Sequence, residues 1–287
     1  MSRLKSKPLS PVVLIVMLFI IVVVYAKQQT PSFPKMDEVT PLTVTTDIKP
    51  SLSTAVYRVF DINTGKVLVS SGEDTVVPIA SVTKLFAAAT VLAGDDLQAT
   101  TSITWSDLAG EGEAGKLLYG QIYSYRDVLF PLLIESSNDA AMVLERVTKG
   151  TLIEAMNSWA RASGATHTKF VDASGINDEN VSTATDLQLL LGTVFITQPH
   201  IFDITTLHQY IGTYTGWLNN NPVAGEPGYR GGKHGYTTAA NRTLVAVFED
   251  TIGGHSYTLG YIILGSNDIK ADFLTLRDFI NTQAAKH

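Results

Sequence analysis

Strand-like segments stand at both ends of residues 50–287 and helix-like segments fill the middle. That order constrains the fold more than any single motif does. Thr54 to Asp61 reads as a strand, and Asn63-Thr64-Gly65 turns it back into Lys66 to Ser70, the pattern of a hairpin. At the far end, Thr243 to Glu249 and Ser256 to Leu264 are β-rich, with Gly253-Gly254 between them. The middle reads differently. A helix runs from Ser81 to about Ala93 and stops at Gly94, and Ser124-Tyr125-Arg126-Asp127 forms a capping box before a helix reaching Ile134. Further helices are expected from Asp139 to about Thr148, behind a second capping box at Thr151-Leu152-Ile153-Glu154, and from Thr183 to Phe195. Thr101 to Trp105 reads as a short strand and 109–115 as a loop. A last helix, from about Ile269 to Gln283, places Phe273, Leu276, Phe279 and Ile280 on one side. The expectation is an α+β fold: an antiparallel sheet made by both chain ends, covered by helices, with a helical insert between.

The N-terminus reads as something other than fold. Residues 1–26 carry Arg3, Lys5 and Lys7 and then an uncharged run from Val12 to Ala26, an export signal or an N-terminal membrane anchor. Val24-Tyr25-Ala26 offers small residues for cleavage, while the long Ile/Val-rich run favours retention as an anchor. Residues 27–50 hold Pro31, Pro34, Pro41 and Pro50 and read as an extended linker. Residues 51–287 are then the folded domain, placed outside the membrane by the positive-inside rule. That domain is acidic: residues beyond 26 carry 18 basic against 27 acidic groups. No basic stripe points to nucleic acid. The absence of cysteine excludes disulfides and thiolate metal sites. The six histidines show no H-E-x-x-H or His-x-x-x-His spacing, so neither a metal nor a cofactor is expected.

Three short pieces carry chemistry. Ser81-Val82-Thr83-Lys84 opens a helix, and its i, i+3 spacing puts a hydroxyl and an amine on one face. A desolvated, neutral lysine can take the proton that makes serine a nucleophile. Ser81 as a simple N-cap is the bland alternative. Ser136-Ser137-Asn138 lies in a polar break between helices, where a hydroxyl and a carboxamide can relay a proton and hold an amide. Its bland alternative is a turn with Asn138 as the cap of the next helix. Gly231-Gly232-Lys233-His234-Gly235-Tyr236-Thr237 offers a cation beside an unobstructed backbone edge, against which a substrate can pair as a strand. Here the alternative is a glycine-rich turn with an exposed lysine.

The order Ser-x-x-Lys, Ser-x-Asn, Lys-x-Gly is the motif set of the penicillin-binding proteins and serine β-lactamases. Together with Asp61 to Leu68, Ser136-Ser137-Asn138-Asp139-Ala140-Ala141, Asp172-Ala173-Ser174-Gly175-Ile176 and Val181 to Leu187, it resembles the D-alanyl-D-alanine carboxypeptidase family, the low-molecular-mass penicillin-binding proteins. The resemblance covers roughly residues 50–285. It implies a β-lactamase/transpeptidase-like fold and a bacterial cell-envelope enzyme that trims peptidoglycan pentapeptides and is acylated by β-lactam antibiotics. It also implies roles. Ser81 is the nucleophile, Lys84 the general base, Ser136 and Lys233 the proton path to the leaving D-alanine, and Asn138 the partner of the acyl amide. Backbone N–H groups of Ser81 and Tyr236 form the oxyanion hole, and His234, Gly235 and Thr237 complete the substrate-binding strand.

Two departures stand out. His234 occupies the place of the family's usual threonine, and Leu264-Gly265-Ser266-Asn267-Asp268 lacks the arginine often found there. Both bear on recognition of a terminal carboxylate, so endopeptidase action on cross-links stays open beside carboxypeptidase action. Two rivals share the motif set: a β-lactamase and a catalytically silent binding protein of the same fold. Glu154 is superficially placed like a β-lactamase's water-activating glutamate, but is explained here as a capping-box partner.

Overall fold

The computed structural model describes residues 42–44, 48–94, 96–112 and 115–284. The segment read as an export signal or anchor lies outside the described residues, as do most of the linker and Glu113 and Ala114 of the 109–115 loop. Among the described residues, no helix is long and apolar enough to cross a membrane.

In chain order, β1 (Val56–Asp61) and β2 (Val67–Ser71) form the first hairpin, followed by β3 (Val77–Pro78), a 3₁₀ turn at Ala80–Val82 and α1 (Thr83–Gly94). The insert continues with β4 (Thr100–Ser102), a 3₁₀ turn at Asp107–Ala109, β5 (Ile122–Ser124), α2 (Tyr125–Ile134), α3 (Asn138–Val147) and α4 (Leu152–Ala162). Then come β6 (Val181–Ser182), α5 (Ala184–Thr197), α6 (Pro199–Thr205) and the small hairpin of β7 (Gln209–Ile211) and β8 (Gly216–Leu218). The chain closes with β9 (Tyr229–Thr237), β10 (Asn241–Ile252), β11 (His255–Ser266) and α7 (Ile269–Ala284).

The two ends meet as expected. The main sheet is antiparallel in the order β2-β1-β11-β10-β9, so β1 pairs with β11 across two hundred residues of chain. The unbroken apolar run Leu244 to Phe248 is explained by this sheet having both faces covered. Val245 and Val247 pack toward the helical insert, while Leu244, Ala246 and Phe248 pack on the opposite face under α7. Alternate side chains of a strand point to opposite faces, so a strand buried on both loses its polar alternation. Phe273, Leu276 and Ile280 of α7 are fully buried there, at about 2 kcal/mol of apolar burial each.

Some local readings are corrected. The strand expected from Thr101 to Trp105 is only Thr100–Ser102, paired with Ile122–Ser124. Ser124 and Asp127 do form a reciprocal capping box. Thr151 does not: it sits in helical φ/ψ, makes no cap to its helix, and its hydroxyl donates to Thr148 O at 2.8 Å. A capping residue needs extended φ/ψ, whereas the left-handed residues Lys149 and Gly150 feed the chain into α4 already turning. Helix α6 and the β7–β8 hairpin were not read from the sequence.

Candidate active site

The 3₁₀ turn at Ala80–Val82 delivers Ser81 to the N-terminal end of α1. Ala80 takes a left-handed φ of 49°, and the turn is held from both sides: Ile79 N–H donates to Asn180 O and Thr243 Oγ1 donates to Ile79 O. Ser81 is not an N-cap, since the capping position is Ile79 and carries no side-chain cap. Instead its Oγ lies 3.0 Å from Lys84 Nζ.

Lys84 is 0% exposed. Its Nζ reaches three acceptors: Ser81 Oγ, Asn138 Oδ1 at 2.7 Å and Ser174 O at 2.5 Å. Burial pulls its pKa down to about 7, opposed by the negative charge of Asp172. Near neutral pH the group therefore exists in both forms. Protonated, it donates to all three acceptors; neutral, its lone pair can accept the Ser81 proton across the same 3.0 Å.

Ser136 stands between α2 and α3 with φ of 65°, a left-handed conformation rare outside glycine. Ser137, not Asn138, caps α3, its Oγ accepting from Ala140 N–H at 2.9 Å. This frees the Asn138 carboxamide for the site. Its Oδ1 accepts from Lys84 and its Nδ2 donates to Glu111 O at 2.5 Å.

The Lys-x-Gly stretch is a strand, not a turn with an exposed lysine. Lys233 is 1% exposed on β9, an edge strand that, among the described residues, pairs in the sheet with β10 alone. Its Nζ donates to His234 O at 2.6 Å. Its pKa is pushed well down, first by burial and then by Lys84. His234 is likewise pushed well below an ordinary imidazole, by burial, Lys233 and Lys84, so it is neutral at physiological pH. Gly235 lies where a Cβ would stand 2.5 Å from Ser81 N, so only glycine lets the strand approach the nucleophile's N–H this closely. Tyr236 points its ring outward, under the Arg242 guanidinium at 5.3 Å.

A cavity of about 640 Å³ joins these pieces. Ser81, Ser136 and Asn138 face it from the helical side, and His234, Gly235, Tyr236 and Thr237 from the strand. Lys84 and Lys233 lie buried beneath. Of the residues expected at the site, all but the two lysines line this one cavity, and Lys84 reaches it through Ser81 and Asn138. Among the described residues, no group of three or more His, Asp or Glu side chains is placed to hold a metal ion.

Other parts of the site were not assigned from the sequence. Asp172 accepts from the N–H groups of Ser174, Gly175 and Asn177, the Ser174 hydroxyl and the Asn180 amide, and so fixes the carbonyl of Ser174 on Lys84. Its signal was an Asp followed two and three residues on by Ser and Gly, the pattern of a side-chain-closed turn. Glu111, Asp178 and Asn220 also line the cavity. Asn220 lies in a run of three asparagines, which signals a loop but not its location.

The D-alanyl-D-alanine carboxypeptidase family model matches residues 43–253. A D-alanyl-D-alanine endopeptidase of Escherichia coli is 31% identical over 218 residues, 70% of this chain and 69% of that protein. The corresponding Pseudomonas aeruginosa protein is 38% identical over 149 residues, 50% of this chain and 48% of its own, so that match spans about half the length of the relative. Among solved structures, penicillin-binding protein D2 of Listeria monocytogenes in its cefotaxime-bound form aligns with a TM-score of 0.72 and 25% identity, over 84% of this chain and all of that one.

Proposed function

We propose, from the premise that this chain belongs to the D-alanyl-D-alanine carboxypeptidase family, that it is a serine DD-peptidase of the bacterial cell envelope. In this reading it cleaves the terminal D-Ala–D-Ala bond of peptidoglycan stem peptides and is acylated by β-lactams. The observation that carries it is the fully buried Lys84, its pKa near 7, with Nζ 3.0 Å from Ser81 Oγ. That is a nucleophile with its base already in place.

Neutral Lys84 takes the Ser81 proton as Oγ attacks the scissile carbonyl. The developing oxyanion sits between the backbone N–H groups of Ser81 and Tyr236, where fixed donors stabilise it without reorganising. Ser136, on the wall of the same cavity, passes the proton to the departing nitrogen as the C–N bond breaks. Water then attacks the acyl-enzyme ester, Ser81 recovers its proton, and the shortened peptide leaves as the acid. Asn138 holds Lys84 as well as facing the acyl chain. The N-terminal segment tethers the enzyme to the membrane if it is retained.

A second reading, cleavage of cross-links, is favoured by the neutral His234 and by the names of the Escherichia and Pseudomonas relatives. The β-lactamase rival loses its glutamate: Glu154 is exposed on α4 and is not among the cavity's lining residues.

The test is intact mass after incubation with benzylpenicillin, with Ser81→Ala as control. A lasting adduct absent from the variant is expected, together with D-alanine release from a pentapeptide. Penicillin consumed without an adduct would replace this reading by the β-lactamase. Penicillin untouched, with no adduct, would leave the silent binding protein.

A further inference from the structure

We propose that Asn220 and His234 form an uncharged hydrogen-bonding subsite for the leaving-group side of the scissile bond, so that the enzyme accepts leaving residues that lack a free carboxylate. The proposal rests on the DD-peptidase reading and names the substrate feature that this site selects.

Asn220 is fixed beside Ser136. Its backbone N–H donates to Ile134 O and its Nδ2 to Glu135 O, both at 3.0 Å. These are carbonyls at the C-terminal end of α2, immediately before Ser136, the residue assigned to protonate the leaving nitrogen. Its neighbours clamp it. Asn219 Nδ2 donates to Thr205 O at the end of α6 and to Leu207 O just beyond it, and Asn221 Nδ2 donates to the Tyr229 hydroxyl on β9. The three asparagines thus tie α2, the end of α6 and β9 together. With Nδ2 committed to Glu135, the Asn220 Oδ1 and one remaining N–H are available to a ligand in the cavity that the residue lines.

His234 lines the same cavity from the strand side. Its Nδ1 is buried without a hydrogen-bond partner among the described residues. A buried polar atom in that state costs free energy until something pairs with it, and the imidazole that carries it lines the cavity a substrate enters. Among the described residues, no lysine or arginine lines the cavity. Glu111 and Asp178 on the lining are acidic, and the two lysines are buried and already engaged. On the Ser136 side of the cavity the wall therefore offers the Asn220 carboxamide, and across it the His234 imidazole, held neutral by burial and by the lysines. An arginine fork favours a carboxylate over an amide strongly, whereas neutral donors distinguish the two weakly.

The test compares two substrates on one enzyme. The full chain is given a synthetic N-acylated tripeptide ending in D-alanyl-D-alanine, and the same peptide with its terminus converted to the carboxamide. The expected kcat/KM values lie within about tenfold of each other, the scale on which one neutral hydrogen bond discriminates. Asn220→Arg is expected to shift the ratio toward the acid by about tenfold or more, by adding a charge-assisted bidentate partner. Asn220→Lys repeats the shift should the arginine variant fold poorly. Because each ratio is read on a single sample, a loss of folded protein cancels. A wild-type preference for the acid above about a hundredfold, far beyond what neutral donors supply, overturns the proposal. So does a ratio unchanged in both variants. Benzylpenicillin labelling of the same samples separates the causes: an adduct with a strict acid preference sinks only this subsite, while no adduct and no cleavage sinks the DD-peptidase reading with it.

Discussion

The floor and the rim of the cavity are made by different means. The floor is a helix start in which Ser81 and Lys84 stand three residues apart, and their 3.0 Å contact follows from helix geometry. The rim is assembled from loops at 110–112, 172–178 and 219–221, and contributes backbone carbonyls as much as side chains. Lys84 joins the two. Its other acceptors are a carboxamide 54 residues downstream and a carbonyl 90 residues downstream. The nucleophile is therefore specified locally, whereas the environment that makes its base neutral is specified at long range.

Removing the floor gives the largest effect. Ser81→Ala abolishes covalent labelling by benzylpenicillin, and Lys84→Ala lowers the acylation rate by about 10⁴-fold or more, as for other nucleophile and base deletions. Lys84→Arg does not rescue it, because a guanidinium cannot give up its proton near neutral pH. Rapid acylation by the arginine variant would mean that the base is not Lys84, and the contrast between floor and rim would lose its centre.

Rim backbone comes next. Gly175 has φ of 80°, and a Cβ there would lie 1.9 Å from Ala80 O and 2.9 Å from Thr83 Oγ1. Gly175→Ala must push the 172–178 turn away from the Ser81 turn. We expect a cost of about 2 kcal/mol or more in stability, and about a hundredfold in acylation, because a displacement near 1 Å at a reacting centre has that effect. Gly65 has a similar φ of 72° but open space around it, so Gly65→Ala costs only about 1–2 kcal/mol and leaves acylation of the folded protein unchanged. Chemical denaturation and acylation kinetics on both variants separate backbone strain from loss of positioning.

How much of this was readable in the sequence follows the same division. Strands β10 and β11 could be read because a long apolar run is broken by Gly253-Gly254, and α7 because its apolar residues recur at helical spacing. Ser81, Lys84, Ser136, Asn138 and Lys233 are legible as candidates because their side chains carry the chemistry. What escaped was carried by backbone or by context. Ser174 contributes a carbonyl, which any residue type would provide. Asn220 acts where it does only because Ile134 and Glu135 end a helix beside it. Helix α6 spans seven residues, too few for periodicity to show, and is held by the burial of Ile201, Phe202 and Ile204. The false capping box at Thr151 failed for a related reason, since the pattern of residue types does not report the φ/ψ with which the chain arrives.

Smaller still is the effect of pH, which tests the long-range half of the comparison directly. Acylation should rise with pH through a limb centred near 7, as Lys84 loses its proton. Stability carries the matching sign. The folded pKa lies below the ordinary lysine value of 10.5, so between about 7 and 10.5 the unfolded chain binds more protons. This lysine's contribution to stability therefore rises with pH across that window and is least favourable below 7. Asp172 opposes the depression, so Asp172→Asn should move the acylation limb to lower pH even as the loosened turn lowers its plateau. A limb that stays in place would show that Asp172 acts on Lys84 only through the Ser174 carbonyl.

The smallest expected effect is at Glu154, and it bears on whether the acyl-enzyme persists. A β-lactamase needs a carboxylate that activates water against the acyl ester, and Glu154 was the one sequence position that superficially suggested it. Its capping-box explanation has failed, so the residue needs another. It is exposed on α4, and the cavity is lined from other segments of the chain. A surface substitution away from a packed or paired site changes stability by less than about 0.5 kcal/mol. Glu154→Gln should therefore leave both melting and the lifetime of the penicilloyl adduct unaltered. A longer-lived adduct in that variant would place Glu154 in deacylation and show that the rim reaches farther from the cavity than its lining indicates. An unchanged lifetime would confine turnover of the acyl-enzyme to groups at the cavity itself, where Lys84 is the available base.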